Sequence, residues 1–62
     1  MIQFRIDYDV EDIHTEAPIS QGTVFAPLDC SNVRAAMDWF LDKVEDQSDR
    51  YEFHPIVAML EF

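Results

Sequence analysis

Asp7, Asp9 and Glu11 stand at alternate positions, the spacing with which a calcium-binding loop begins. Such a loop needs a turn glycine at its sixth position and a bidentate glutamate at its twelfth. Asp12 and Pro18 stand there instead, so an EF-hand is excluded. His14 lies between Asp12 and Glu16 and offers a few ligands within one short segment, but no second histidine is near it, and Cys30 is distant in sequence. Cys30 is the sole cysteine and the one nucleophile candidate. It would need a lowered pKa at a helix N-terminus and His14 or His54 as its base, and nothing in the spacing brings them together. His54 precedes Pro55 and reads as a turn or strand-edge residue. Ser20 to Thr23 holds one glycine and is followed by no lysine, so it is not a phosphate loop. These residues predict no catalytic group, no metal and no cofactor.

Carboxylates dominate what remains. Thirteen Asp and Glu face four Lys and Arg, a formal net charge of −9. That balance disfavours direct nucleic-acid binding and favours a basic partner. The charge falls into two stretches. One comprises Asp7, Asp9, Glu11, Asp12 and Glu16, with no Lys or Arg after Arg5. The other comprises Asp38, Asp42, Glu45 and Asp49, spaced four, three and four, with Asp46 beside it. On a continuous helix these carboxylates lie about 4.5–6 Å apart along the axis. Duplex DNA carries one charge per ~1.7 Å of axis over two strands, so a carboxylate row can imitate a phosphate row. The competing explanation is a solvated helix face, with Arg34 and Asp38 paired across one turn and Lys43 and Arg50 partly neutralising the stretch. Trp39 sits on the flank of this helix. It either seals the core edge with its indole N–H in water or serves as an aromatic anchor for a partner.

The elements that position these residues are legible from periodicity. Ile2, Phe4, Ile6, Tyr8 and Val10 alternate with Gln3, Arg5, Asp7 and Asp9, the pattern of a half-buried strand. Residues 11–18 are polar and closed by a proline, which predicts a loop. Residues 19–26 have the composition of a second strand, with Gly22 marking a bulge or a close approach. A helix is predicted from Ser31 to Asp46, capped by Asp29 or Ser31, with Val33, Ala36, Met37, Phe40, Leu41 and Val44 on one apolar stripe. Residues 51–62 read as a last strand, apolar enough from Ile56 to Leu60 to be buried on both faces, with its regular part after Pro55 or with that missing donor turned outward. The expected fold is α+β: a small β-β-α-β domain, one helix packed on a three-stranded sheet, spanning 1–62 without a linker.

With one helix, one sheet face has no internal cover. A homodimer or a partner on that face, or on the edge of the last strand, is therefore expected; a strict monomer with Val57 and Met59 already buried would contradict it. The lone cysteine points to a reducing, cytoplasmic setting, and no stretch is long and apolar enough to span a membrane. In size and charge the chain resembles the small acidic inhibitors carried by phages and mobile elements, including anti-restriction and anti-CRISPR proteins that imitate nucleic acid. The resemblance lies in composition and covers no motif. It implies a non-enzymatic inhibitor that blocks a basic nucleic-acid-binding surface on a larger protein through one of the two acidic stretches, with Trp39 as apolar anchor. The alternative is a small assembly subunit that binds through its apolar C-terminal strand, its acidity serving solubility.

Overall fold

The computed structural model describes residues 1–62. Three strands, β1 (Ile2–Asp12), β2 (Pro18–Phe25) and β3 (Tyr51–Glu61), form one antiparallel sheet in the order β2-β1-β3. Between β2 and β3 runs one helix, α1 (Val33–Val44), followed by a 3₁₀ turn over Glu45–Gln47. The α+β architecture is the one that the periodicity predicts. Two strands of eleven residues, at ~3.4 Å per residue, account for the elongated shape, 40 Å long and 12 Å in its thinnest dimension.

The alternation in β1 sends Phe4, Ile6 and Val10 into the helix-covered face, where all three are buried. Ala26, Ala36 and Phe40 complete the core, and Phe40 and Ile6 are its largest fully buried side chains. Tyr8 stands 5.2 Å from Phe40 and 6.2 Å from Phe53, ring centre to ring centre, so three aromatic rings from β1, α1 and β3 tie the two layers together. Ala36 matters by being small: it lets the helix approach the sheet.

Several boundaries differ from the sequence reading. The helix begins two residues later than predicted, because Asn32, not Asp29 or Ser31, is the N-cap. Its side-chain oxygen accepts the Ala35 N–H at 2.8 Å, an interaction worth about 1 kcal/mol to a helix. The α-helix ends at Val44, and Asp49 lies in the turn beyond the 3₁₀ segment. Val33 and Leu41, predicted for the apolar stripe, are exposed, leaving Ala36 and Phe40 buried with Met37 and Val44 half-buried.

The last strand is not buried on both faces. Ile56 on the open face is 70% exposed and Met59 on the helix face is 56% exposed, while Val57 is half-buried against the core. The strand exceeds the reach of a twelve-residue helix, so its C-terminal end is uncovered. Pro55 does not interrupt it either: the β1–β3 register runs unbroken from Ile2↔Glu61 to Asp12↔Tyr51. An edge strand has one side without a partner, where a missing donor costs no ladder bond.

Candidate protein-interaction surface

Residues directly opposite in an antiparallel sheet share a face, so the register defines the side that the helix leaves open. Gln3, Arg5, Asp7, Asp9 and Glu11 run down its centre on β1. Leu60, Ala58, Ile56, His54 and Glu52 lie across from them on β3, and Phe25, Thr23 and Gln21 flank Arg5, Asp7 and Asp9 on β2. The three central carboxylates repeat every two residues, about 6.8 Å apart. Ladders on both sides of β1 hold that spacing fixed.

Local partners differ along the row. Asp7 accepts a hydrogen bond from the Thr23 hydroxyl at 2.7 Å and lies 3.3 Å from Arg5 Nε, which is off the line of a hydrogen bond. Asp9 forms no ion pair. Glu11 is 3.1 Å from His54 Nε2, and Glu52 is 3.8 Å from the same nitrogen. Between Val10 and Glu11 the β1–β2 register shifts, with Ser20 paired to Val10 and Pro18 to Glu11, so the extra residue of this bulge, Ile19, lies on β2 and β1 itself stays regular.

Asp12 leaves the row to organise the turn between β1 and β2. Its Oδ1 accepts the His14 N–H at 2.8 Å and the Thr15 N–H at 3.0 Å. These bonds, Thr15 first and His14 second, hold its carboxyl below the ordinary value of 3.8. A carboxyl favoured in its charged form by folding stabilises the fold above its unfolded pKa, and that contribution is lost as pH falls through the lowered folded value. A carboxyl-detected NMR titration of the folded protein is therefore expected to place the Asp12 midpoint below 3.8; a midpoint at or above 3.8 contradicts the turn geometry. Glu16, in the same turn, has φ of 61°, a left-handed conformation that costs about 1 kcal/mol for a residue with a side chain.

The helix row is shorter than its spacing predicts, and Lys43 and Arg50 form no ion pair with it. Asp38, Asp42 and Glu45 remain in sequence along the helix and its end, but Asp49 is outside it. Arg34 Nε reaches Asp38 at 4.0 Å. Trp39 is half-buried against the core with Lys43 over its ring, 5.6 Å from the centroid. The indole is thus shared between sealing the core edge and a cation–π contact.

Cys30 lies far from both histidines. Cys30 is partly buried against the core at the end where the Ala26 N–H meets the Phe4 carbonyl. His14 lies beyond Asp12 at the opposite end of β1, eight residues or roughly 27 Å along the strand. His54 pairs with Asp9, about 17 Å from the Phe4 end by the same rise. What the sequence reading missed is the meeting of Glu11 with Glu52 and His54, whose ligand atoms lie within 4.8 Å of one another. One imidazole and two carboxylates are a ligand set for a zinc- or manganese-like ion. Forty-one residues separate Glu11 from Glu52, and their cross-strand pairing is the only sign of it.

No protein-family model, curated protein or solved structure matches this chain.

Proposed function

We propose that this protein is a non-enzymatic inhibitor that binds a larger protein and occupies its basic nucleic-acid-binding surface, carboxylates standing in for phosphates, in the manner of phage and mobile-element anti-defence proteins. The observation that carries this reading is the Asp7, Asp9, Glu11 row on the uncovered face of the central strand. A row fixed by ladders on both sides needs little ordering on binding, so its charge acts without a large entropic penalty. The helix row, which ends at Glu45 with Asp49 outside it, is the weaker candidate for the same role.

A target captured from a host lysate tests this. At 50 mM salt, replacing Asp7 and Asp9 with Asn and Glu11 with Gln is expected to weaken the complex by about 10- to 100-fold, and affinity of the unaltered protein should fall by more than about tenfold by 200 mM salt. DNA or RNA should compete for the target. A complex that ignores salt, nucleic acid and the triple substitution contradicts the proposal.

The exposure of Ile56 and Met59 on β3 supports a second reading, an assembly subunit binding through that strand. Its complex should persist in high salt and fail when Ile56 or Met59 is replaced by Asp.

A further inference from the structure

The open sheet face is divided along its strands. At one end, the rows Gln3–Leu60 and Phe25–Arg5–Ala58, with Ile56 opposite Asp7, leave Phe25 52% and Ile56 70% exposed. At the other end, Glu11 and Glu52 flank the His54 imidazole, and Asp9 lies opposite His54 in register. Six residues separate the Arg5 row from the Glu11 row, about 20 Å along the strand. A largely apolar block, crossed by the Arg5–Asp7 ion pair, and an anionic block therefore lie in line on one surface.

The width of that surface limits what can lie on it. Two inter-strand steps of ~4.8 Å make the three-stranded sheet about 10 Å wide, the diameter of a single helix. The opposite face shows this fit in width, since α1, though shorter than the strands, is the one element packed on it. Aligned stacking of a second copy is disfavoured by charge: parallel strands would set carboxylates on carboxylates, and antiparallel strands would bury carboxylates against Phe25 and Ile56.

Resting on the acidic-surface reading above, we infer that the open face docks a single helix of the partner protein, lying along the strands, with apolar side chains over Phe25, Ile56 and Leu60 and Lys or Arg side chains over Asp9, Glu11 and Glu52. At 1.5 Å per residue, about 13 residues span the two blocks. The recognised pattern is segregated along the helix axis. It is not a uniform basic surface, and Trp39 takes no part in it.

Three synthetic helical peptides of about 18 residues test this by NMR titration of the labelled protein. One carries Leu in its first turns and Lys in its last turns on a single face; the second has the same composition with Leu and Lys interleaved; the third replaces Leu with Ser. The block peptide is expected to bind at least about tenfold more tightly than either other, shifting the amide signals of Phe25, Ile56, Ala58, Asp9 and Glu11. Ile56→Asp, at an exposed position, should weaken it by roughly tenfold, while Asp38→Asn with Asp42→Asn should leave it unchanged. Equal affinity for the Lys/Ser or interleaved peptide, or shifts confined to α1, overturns the helix-docking inference and leaves the acidic-surface reading standing. Failure of all three peptides to bind at 50 mM salt overturns both. Self-association that buries Ile56 assigns the face to a second copy and overturns the inference.

Discussion

Phe40→Ala is expected to abolish cooperative unfolding of this protein at room temperature. A chain of 62 residues has roughly 3–9 kcal/mol of stability in total, at about 0.05–0.15 kcal/mol per residue. Truncating a buried phenylalanine costs about 3–5 kcal/mol, the transfer term plus the cavity that the neighbours fail to fill. Phe40 is 1% exposed and is one of only six buried residues. Its ring meets both Tyr8 and Phe53, so its loss removes the helix's aromatic contact with the sheet and leaves the other two rings without their shared neighbour. Val33→Ala on the same helix is the control: Val33 is exposed, and its truncation should shift stability by no more than about 0.5 kcal/mol. Urea unfolding followed by circular dichroism distinguishes the two. A Phe40→Ala variant that retains a cooperative transition with an unchanged midpoint would show that the aromatic cluster is not what joins the layers.

The second large effect falls on the sheet. Gly22→Ala is expected to destabilise the fold by about 1–3 kcal/mol, the usual range for forcing atoms into a packed site. Tyr8 and Gly22 are directly opposed on β1 and β2, and a Cβ added at residue 22 would stand 2.6 Å from the Tyr8 hydroxyl oxygen and 2.7 Å from Cζ. Gly22 does not have a positive φ, so backbone conformation does not require glycine there. The tyrosine ring does. Because Tyr8 also packs against Phe40 and Phe53, it cannot swing aside without disturbing the aromatic cluster. Combining Gly22→Ala with Tyr8→Phe removes the hydroxyl but keeps Cζ in place, so the double variant should recover only part of the loss in thermal denaturation. Full recovery would locate the conflict at the hydroxyl alone.

Gly22 illustrates what the sequence makes legible. A glycine inside a strand pattern announces a bulge or a close approach, but only the register shows that Tyr8 is the approaching group and that the bulge lies elsewhere, at Ile19. The strict alternation of β1 predicts its buried face, because a half-covered strand has one way to place its apolar side chains. The helix stripe is partly readable for a different reason: periodicity reports a face, whereas the sheet beneath it is too narrow to cover Val33 and Leu41 at the margins of that face. For the acidic surface, Asp7, Asp9 and Glu11 are local in sequence and legible as a row. Their neighbours Glu52 and His54 come from a strand some forty residues away, and charge spacing along the chain carries no record of that pairing. Asp12 belongs to the same run of carboxylates by sequence but serves the turn, a distinction decided by two backbone N–H groups. Asp49 drops out of the helix row because the 3₁₀ segment changes the angular step.

The sheet order carries a consequence for how the protein comes into being. The central strand β1 is made before β2 and β3, yet the edge that receives β3 has no partner until β3 has emerged, since Ile2 pairs with Glu61. At about 5–20 residues per second, the 37 residues from Phe25 to Phe62 take roughly 2–7 s to synthesise. During that interval the nascent chain can form the β1–β2 hairpin, a unit too small to be stable alone in water, with one flank of β1 open to any other extended polypeptide. The long-range closure that completes the sheet also makes the fold slow to reach for its size. Three of the four Lys and Arg residues, Arg34, Lys43 and Arg50, are made after the hairpin, whereas Asp7, Asp9, Glu11, Asp12 and Glu16 are already present within it. The unfinished edge therefore emerges under its own electrostatic guard, and copies of the newborn chain repel one another until the strand that closes the sheet arrives.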